Sequence, residues 1–177
     1  ITRTENGPLK TMTSNKIGQF ISADISGPHK IKLFEGSRHT IDTYVLAICD
    51  QISKFTTLIP ILSTKKKDIM LAFMAYFSRQ GVPTSLTIDN AGALSNFFKD
   101  NTISVRDTSN RHILKQIRIL TCSPHLHKAN GIAEQSCFRI KKILGDLNLT
   151  ENNRIHLINF GSVLDLVARV INDTPIG

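Results

Sequence analysis

Cysteine is scarce in this sequence, and the three that occur, Cys49, Cys122 and Cys137, stand far apart with no Cys-x-x-Cys pair. Such spacing gives no disulfide framework and fits reduced thiols in an intracellular protein. It leaves a zinc site incomplete as well: His125 and His127 flank Leu126, but no other cysteine or histidine pair stands at a completing distance. Long hydrophobic runs are also missing. The longest, Ile69 to Phe77, is far short of the ~20 residues a membrane helix needs, and the first residues lack a basic-then-apolar signal pattern. The reading is a soluble domain with no membrane partner. No internal repeat or low-complexity tract is visible. Acidic residues are in deficit, with 14 Asp and Glu against 22 Lys and Arg, a net charge of +8 and a pI near 9.6. That field suits a polyanion such as nucleic acid, and equally a merely basic soluble protein.

What is present suffices for one core: 177 residues, 41% of them hydrophobic. Residues 1–16 are polar, broken by Gly7-Pro8, and read as a flexible leader or linker ahead of a single domain over 17–177. Ile1 and the closing Thr-Pro-Ile-Gly read as the ends of a piece of a longer polypeptide. Ile17 to Ile25 is predicted as a first strand stopped by Ser26-Gly27-Pro28, which places Asp24 at the strand's end. A basic hairpin-like stretch, His29 to Arg38, leads to strands over Ile41–Cys49 and Phe55–Leu62. The five residues between these two are too few for a crossover helix, so the first three strands run antiparallel.

Thr64 is the candidate N-cap of a crossover helix whose apolar positions Ile69, Phe73, Tyr76 and Phe77 keep a 3–4 spacing up to Gly81 and Pro83. Ser85 to Ile88 then forms a short buried strand delivering Asp89. Gly92 to Lys99 is a short helix or loop, and the polar run 100–112 an exposed insertion. A helical turn over Ile113–Ile117, a strand over Arg118–Cys122 and helices over 129–147 and Glu151–Asn172 complete the chain. The last helix has more apolar circumference than one stripe requires. Either it is buried within the monomer or one flank meets a second copy.

Three acidic residues stand in distinctive surroundings: Asp24 in Ile-Ser-Ala-Asp-Ile-Ser-Gly-Pro, Asp89 in Leu-Thr-Ile-Asp-Asn, and Glu134 in Asn-Gly-Ile-Ala-Glu. Singly they also read as a turn aspartate, a cap and a solvated helix position. Together they describe two strand ends and a neighbouring helix that bring three carboxylates to one point. Like charges so placed repel unless a cation joins them, and all-oxygen ligation selects a hard divalent ion. Two such ions about 3.5–4 Å apart suit in-line displacement at phosphorus.

At these residues the chain resembles the catalytic cores of retroviral and LTR-retrotransposon integrases, which share the RNase H-like fold with DDE transposases. The similarity rests on Asp24 with Ser26-Gly27-Pro28, on Asp89-Asn90 followed by Gly92, and on Ser123-Pro124-His125 leading to Asn130-Gly131-x-x-Glu134. It extends to the ending Val170-Ile171-Asn172-Asp173-Thr174-Pro175, and covers about residues 17–176. The resemblance implies an α/β, RNase H-like fold with a five-stranded mixed sheet flanked by helices. It also implies a triad of Asp24, Asp89 and Glu134 that binds Mg²⁺ or Mn²⁺, two ions when DNA is present. The implied activity is 3′-end processing and strand transfer, with element ends and target duplex DNA as partners, a homodimer or higher multimer as the acting form, and the nucleus as the place of action on host DNA. Ala91 interrupts the family's Asp-Asn-Gly, and the 44 residues between Asp89 and Glu134 exceed the usual retroviral spacing. Neither the zinc module usually upstream nor the basic domain usually downstream is present. An RNase H-like nuclease, a cut-and-paste transposase and a domesticated non-catalytic DNA-binding module share the pattern.

Lys141 and Lys142 follow Glu134 by about two helical turns on nearly the same face, where they would contact DNA phosphates or form a solvated helix end. Lys128, Asn130 and Arg139 are further candidates for DNA contact. Phe138 occupies the position one turn after the glutamate, where the family often has a basic residue. Lys65-Lys66-Lys67 reads as a solvated helix start.

Overall fold

The computed structural model describes residues 17–90, 92–99, 117–122, 138, 139, 142 and 155–174. Their elements run β1 (Phe20–Lys32), β2 (Thr40–Asp50), β3 (Thr56–Ile61), α1 (Lys66–Gln80), β4 (Ser85–Asp89), α2 (Ala93–Lys99), β5 (Arg118–Cys122) and α3 (Phe160–Asp173). The strands form one mixed sheet in the order β3-β2-β1-β4-β5. The pairs β3-β2 and β2-β1 are antiparallel, β1-β4 and β4-β5 parallel. The expected α/β architecture, with its first three strands antiparallel, is therefore what the chain adopts.

Side-chain alternation decides which face each strand shows. Ile21 and Ala23 of β1, Leu46 and Ile48 of β2, and Leu86 and Ile88 of β4 pack with Ile69, Phe73 and Phe77 of α1 and with Leu94 and Phe97 of α2. On the other face Ile31, Val45, Ala47, Cys49 and Leu58 meet Phe160, Leu164 and Ala168 of α3. β2 thus lies between two apolar layers, which is why Val45 to Cys49 is an unbroken apolar run, buried throughout.

Three sequence expectations need correction. β1 does not stop at Ser26-Gly27-Pro28 but continues to Lys32, taking up the interruption as a bulge between the pairs Ser26↔Val45 and His29↔Thr43. Gly27 has φ +137°, and a Cβ there would lie 2.6 Å from the Tyr44 ring and 2.9 Å from the Thr43 carbonyl oxygen, so glycine is required by space as well as conformation. The Thr43 hydroxyl donates to the His29 carbonyl at 2.9 Å and ties the strand back beyond the bulge.

The crossover helix starts at Lys66 after Lys65, not after an N-cap at Thr64. No side chain caps the first turn; Ser63 accepts from the Lys65 N–H at 3.2 Å, and its hydroxyl donates to the carboxylate of Asp68 in the first turn. The last helix begins at Phe160, well after Glu151. Residues 157–159 form a turn, because the Leu157 N–H is taken by the Lys32 carbonyl at 2.8 Å and His156 bridges to Lys32.

β3 is an edge strand, and α3 closes part of that edge with one side chain. Asn172 Oδ1 accepts from the Thr56 N–H at 2.7 Å while its Nδ2 donates to the Thr56 carbonyl at 2.9 Å, as a further strand would. Pro60, with no N–H, blunts the strand further along.

The expected leader 1–16, the insertion 100–112 and the turn 113–116 lie outside the described residues. So does most of the helix expected over 129–147, of which 138, 139 and 142 are described and helical.

Candidate metal centre

The sheet changes direction at β1. From there the chain builds β2 and β3 on one side, then crosses through α1 to build β4 and β5 on the other, so the boundary between β1 and β4 is a topological switch point. In open α/β sheets the crevice at the carboxyl ends of strands at such a point is the place where ligands bind.

Both described candidate carboxylates stand there. The parallel ladder pairs Phe20 with Ser85, Ile21 with Leu86 and Ser22 with Thr87. Two residues further along each strand stand Asp24 and Asp89, on the same face of the sheet as Ser22 and Thr87. Asp24 lies within β1, because β1 runs on past the bulge, yet it sits just beyond the part of β1 that pairs with β4. Asp89 ends β4 and is paired in register with Cys122, the last residue of β5. Both aspartates are half-buried, and Asp24 Oδ1 accepts from the Ile25 N–H at 2.9 Å.

The layer below them is polar and buried. Ser22, Thr87 and Gln51 are buried, at 0%, 2% and 6% exposure. Gln51 Nε2 donates to Ser22 Oγ and to Thr87 Oγ1, each at 3.0 Å, with the Ile21 carbonyl at 3.4 Å. Pattern reading missed Gln51. Its one signal is an amide placed just after Asp50 at the end of β2, and only the register across three strands gives that position meaning.

Asp50 is a carboxylate already committed elsewhere. Its Oδ1 accepts from the N–H groups of Ile52 at 2.9 Å and Ser53 at 2.7 Å and from the Ser53 hydroxyl at 3.1 Å, while Oδ2 accepts from the Gly18 N–H. It organises the turn into β3, where Lys54 takes φ +65°. Nearby, burial pushes the Cys49 thiol up, outweighing a hydrogen bond with Thr56 and the charges of Arg139 and Lys54. Burial also raises Tyr76, helped by Asp50 and Cys49, and burial lowers His29, whose Nε2 is 2.9 Å from Ser26 Oγ. A cleft of about 380 Å³ lies at the β3 edge, among Leu58, Tyr76, Arg79, Arg169 and Asn172, and is lined by neither Asp24 nor Asp89.

Glu134 lies outside the described residues, as do Lys128, Asn130 and Lys141. Arg139 Nη1 donates to the Lys54 carbonyl at 2.8 Å and so ties its helical residue to the β2–β3 turn. Lys142 is exposed. Among the described residues no three His, Cys, Asp or Glu side chains form a group able to hold a metal ion. As donors Asp24 and Asp89 fit a hard divalent cation: both offer oxygen, both are half-buried, and both stand on adjacent parallel strands at the switch point.

A chain in the cryoEM structure of a simian T-cell lymphotropic virus intasome in complex with PP2A regulatory subunit B56 gamma is similar in fold. It has a TM-score of 0.54 and 16% identity over 90% of this chain and 50% of that one. The present chain thus spans half the length of that relative. The HTLV-2 integrase catalytic core domain in complex with magnesium, in its dimeric form, gives a TM-score of 0.49 and 15% identity over 91% of this chain and 90% of that one. No family model and no curated protein matches the sequence. At such identities the likeness is one of fold, and the fold is integrase catalytic core-like.

Proposed function

We propose that this chain is the catalytic core of a divalent-metal-dependent DNA strand transferase that processes element ends and joins them to target DNA. The observation that supports the reading is that Asp24 and Asp89 each lie two residues beyond the last β1–β4 pair, Ser22↔Thr87, on one face where the two strands part. In this reading Asp24, Asp89 and Glu134 hold Mg²⁺ or Mn²⁺, two ions once DNA is bound. The bound cation supplies charge neutralisation at the phosphodiester and lowers the cost of deprotonating the attacking hydroxyl.

The chain's own contributions are position and charge. β1 and β4 hold the two aspartates on a rigid sheet, and the net charge of +8 favours approach of a polyanion. Lys142, exposed on its helix, is assigned to phosphate contact, as are Lys128, Asn130, Arg139 and Lys141 by their places in the sequence. Leu166 and Val170 of α3, exposed one turn apart, are assigned to contact with a further copy of the chain. Action on host DNA calls for access to the nucleus.

The test is Mg²⁺- or Mn²⁺-dependent joining of element-end DNA by the full-length protein, compared with Asp24→Asn, Asp89→Asn and Glu134→Gln. Each variant is expected to lose joining by about 10³-fold or more, equivalent to about 4 kcal/mol of barrier. Joining that survives in all three overturns the reading. Hydrolysis without joined product favours a nuclease, and absence of both with intact DNA binding favours a non-catalytic module.

A further inference from the structure

The last rung of the β1–β4 ladder, Ser22↔Thr87, lies directly below the two carboxylates, and one side chain spans it. Gln51 follows the end of β2, where its N–H donates to the Phe20 carbonyl at 2.8 Å, so its starting point is fixed by backbone pairing. From there the side chain crosses β1 and reaches β4, giving its Nε2 hydrogens to Ser22 Oγ and Thr87 Oγ1 at 3.0 Å each. The amide thus joins a hydroxyl of β1 to a hydroxyl of the neighbouring β4.

Residue type matters here. A lysine or arginine would put a cation below the carboxylates and compete with a metal, and an acid would add a further like charge. An amide brings two donors and no charge. All three partners are buried, so water does not substitute for a lost bond at little cost.

We propose that Gln51 is a positioning residue: by pinning Ser22 to Thr87 it sets the separation at which Asp24 and Asp89, two residues further along their strands, meet a divalent cation. This rests on the reading of those aspartates as metal ligands given above. The serine and threonine transmit the constraint through their own strands.

The test uses the full chain and Mn²⁺ alone, with free ion followed by electron paramagnetic resonance well below the melting temperature. Gln51→Met keeps the length and removes both donors, and is expected to raise the Mn²⁺ Kd by about tenfold or more. Ser22→Ala and Thr87→Val each remove one arm and are expected to raise it about two- to fivefold, with Thr87→Val adding little on top of Gln51→Met. If Gln51→Met lacks the wild-type far-ultraviolet circular dichroism spectrum, the two single-arm variants decide by the same criterion. A lowered melting temperature with wild-type Kd in these variants means the network only holds the sheet together, and overturns the proposal. Binding by wild type that Asp24→Asn abolishes, with all network variants at wild-type Kd, overturns this inference alone. A wild type that binds no Mn²⁺ overturns it together with the metal reading.

Discussion

Where β2 and β3 meet α3, one face of the sheet is aliphatic and closed, with Val45, Ala47, Cys49 and Leu58 against Phe160, Leu164 and Ala168. Where β1 meets β4, the same face carries Ser22, Thr87 and Gln51 in a hydrogen-bonded layer, with Asp24 and Asp89 beyond it. The backbone is the same pleated ladder in both regions. The difference lies in what each position gives up to be there. The aliphatic half gains from every apolar area it removes from water, whereas the polar half must satisfy each buried group and carries two acidic residues on adjacent strands. Apolar packing is the contribution of the first region, and ligand affinity is assigned to the second.

If that division is correct, damage to one half should leave the property of the other intact. Phe160→Ala empties a fully buried site in the aliphatic half and is expected to cost about 3–5 kcal/mol in urea unfolding, with Mn²⁺ Kd unchanged in the folded fraction. A matching loss of Mn²⁺ affinity would show the halves are coupled. Asn172→Ala tests the rim of the same half, where the side chain stands in for a strand. Loss of its two bonds to Thr56 is expected to cost about 1–2 kcal/mol, read by the same titration, and to increase edge-to-edge association in light scattering. Asp24→Asn in the polar half should act in the opposite direction. Without divalent metal it removes repulsion and is expected to leave stability unchanged or raise it by about 0.5–1 kcal/mol, read as the melting temperature in chelator. A clear destabilisation would mean the carboxylate is structural.

The sequence makes the sheet legible because its strands are short apolar runs separated by turn residues, and five intervening residues dictate an antiparallel β2–β3 pair. Asp24 and Asp89 are legible for the same reason: each interrupts or closes an apolar run. Ser26-Gly27-Pro28 misleads because glycine and proline stop a strand only when the strand cannot take them up as a bulge, and here β1 bulges while Tyr44 and Thr43 close over Gly27. The start of α3 is hidden because apolar Ile155, Leu157 and Ile158 suit a helix locally, while the Lys32 carbonyl recruits the Leu157 N–H from a strand distant in sequence. Gln51 is invisible for a related reason. Its partners lie 29 and 36 residues away, on two other strands, and neither pattern nor spacing joins them.

The most direct test of a cation shared by Asp24 and Asp89 is an anomalous difference map from crystals of the full-length protein soaked in Mn²⁺. Expected is a peak bonded to carboxylate oxygens from both residues, lost in crystals of Asp89→Asn. Well-ordered carboxylates at 24 and 89 turned away from one another, with no anomalous peak between them, would contradict it.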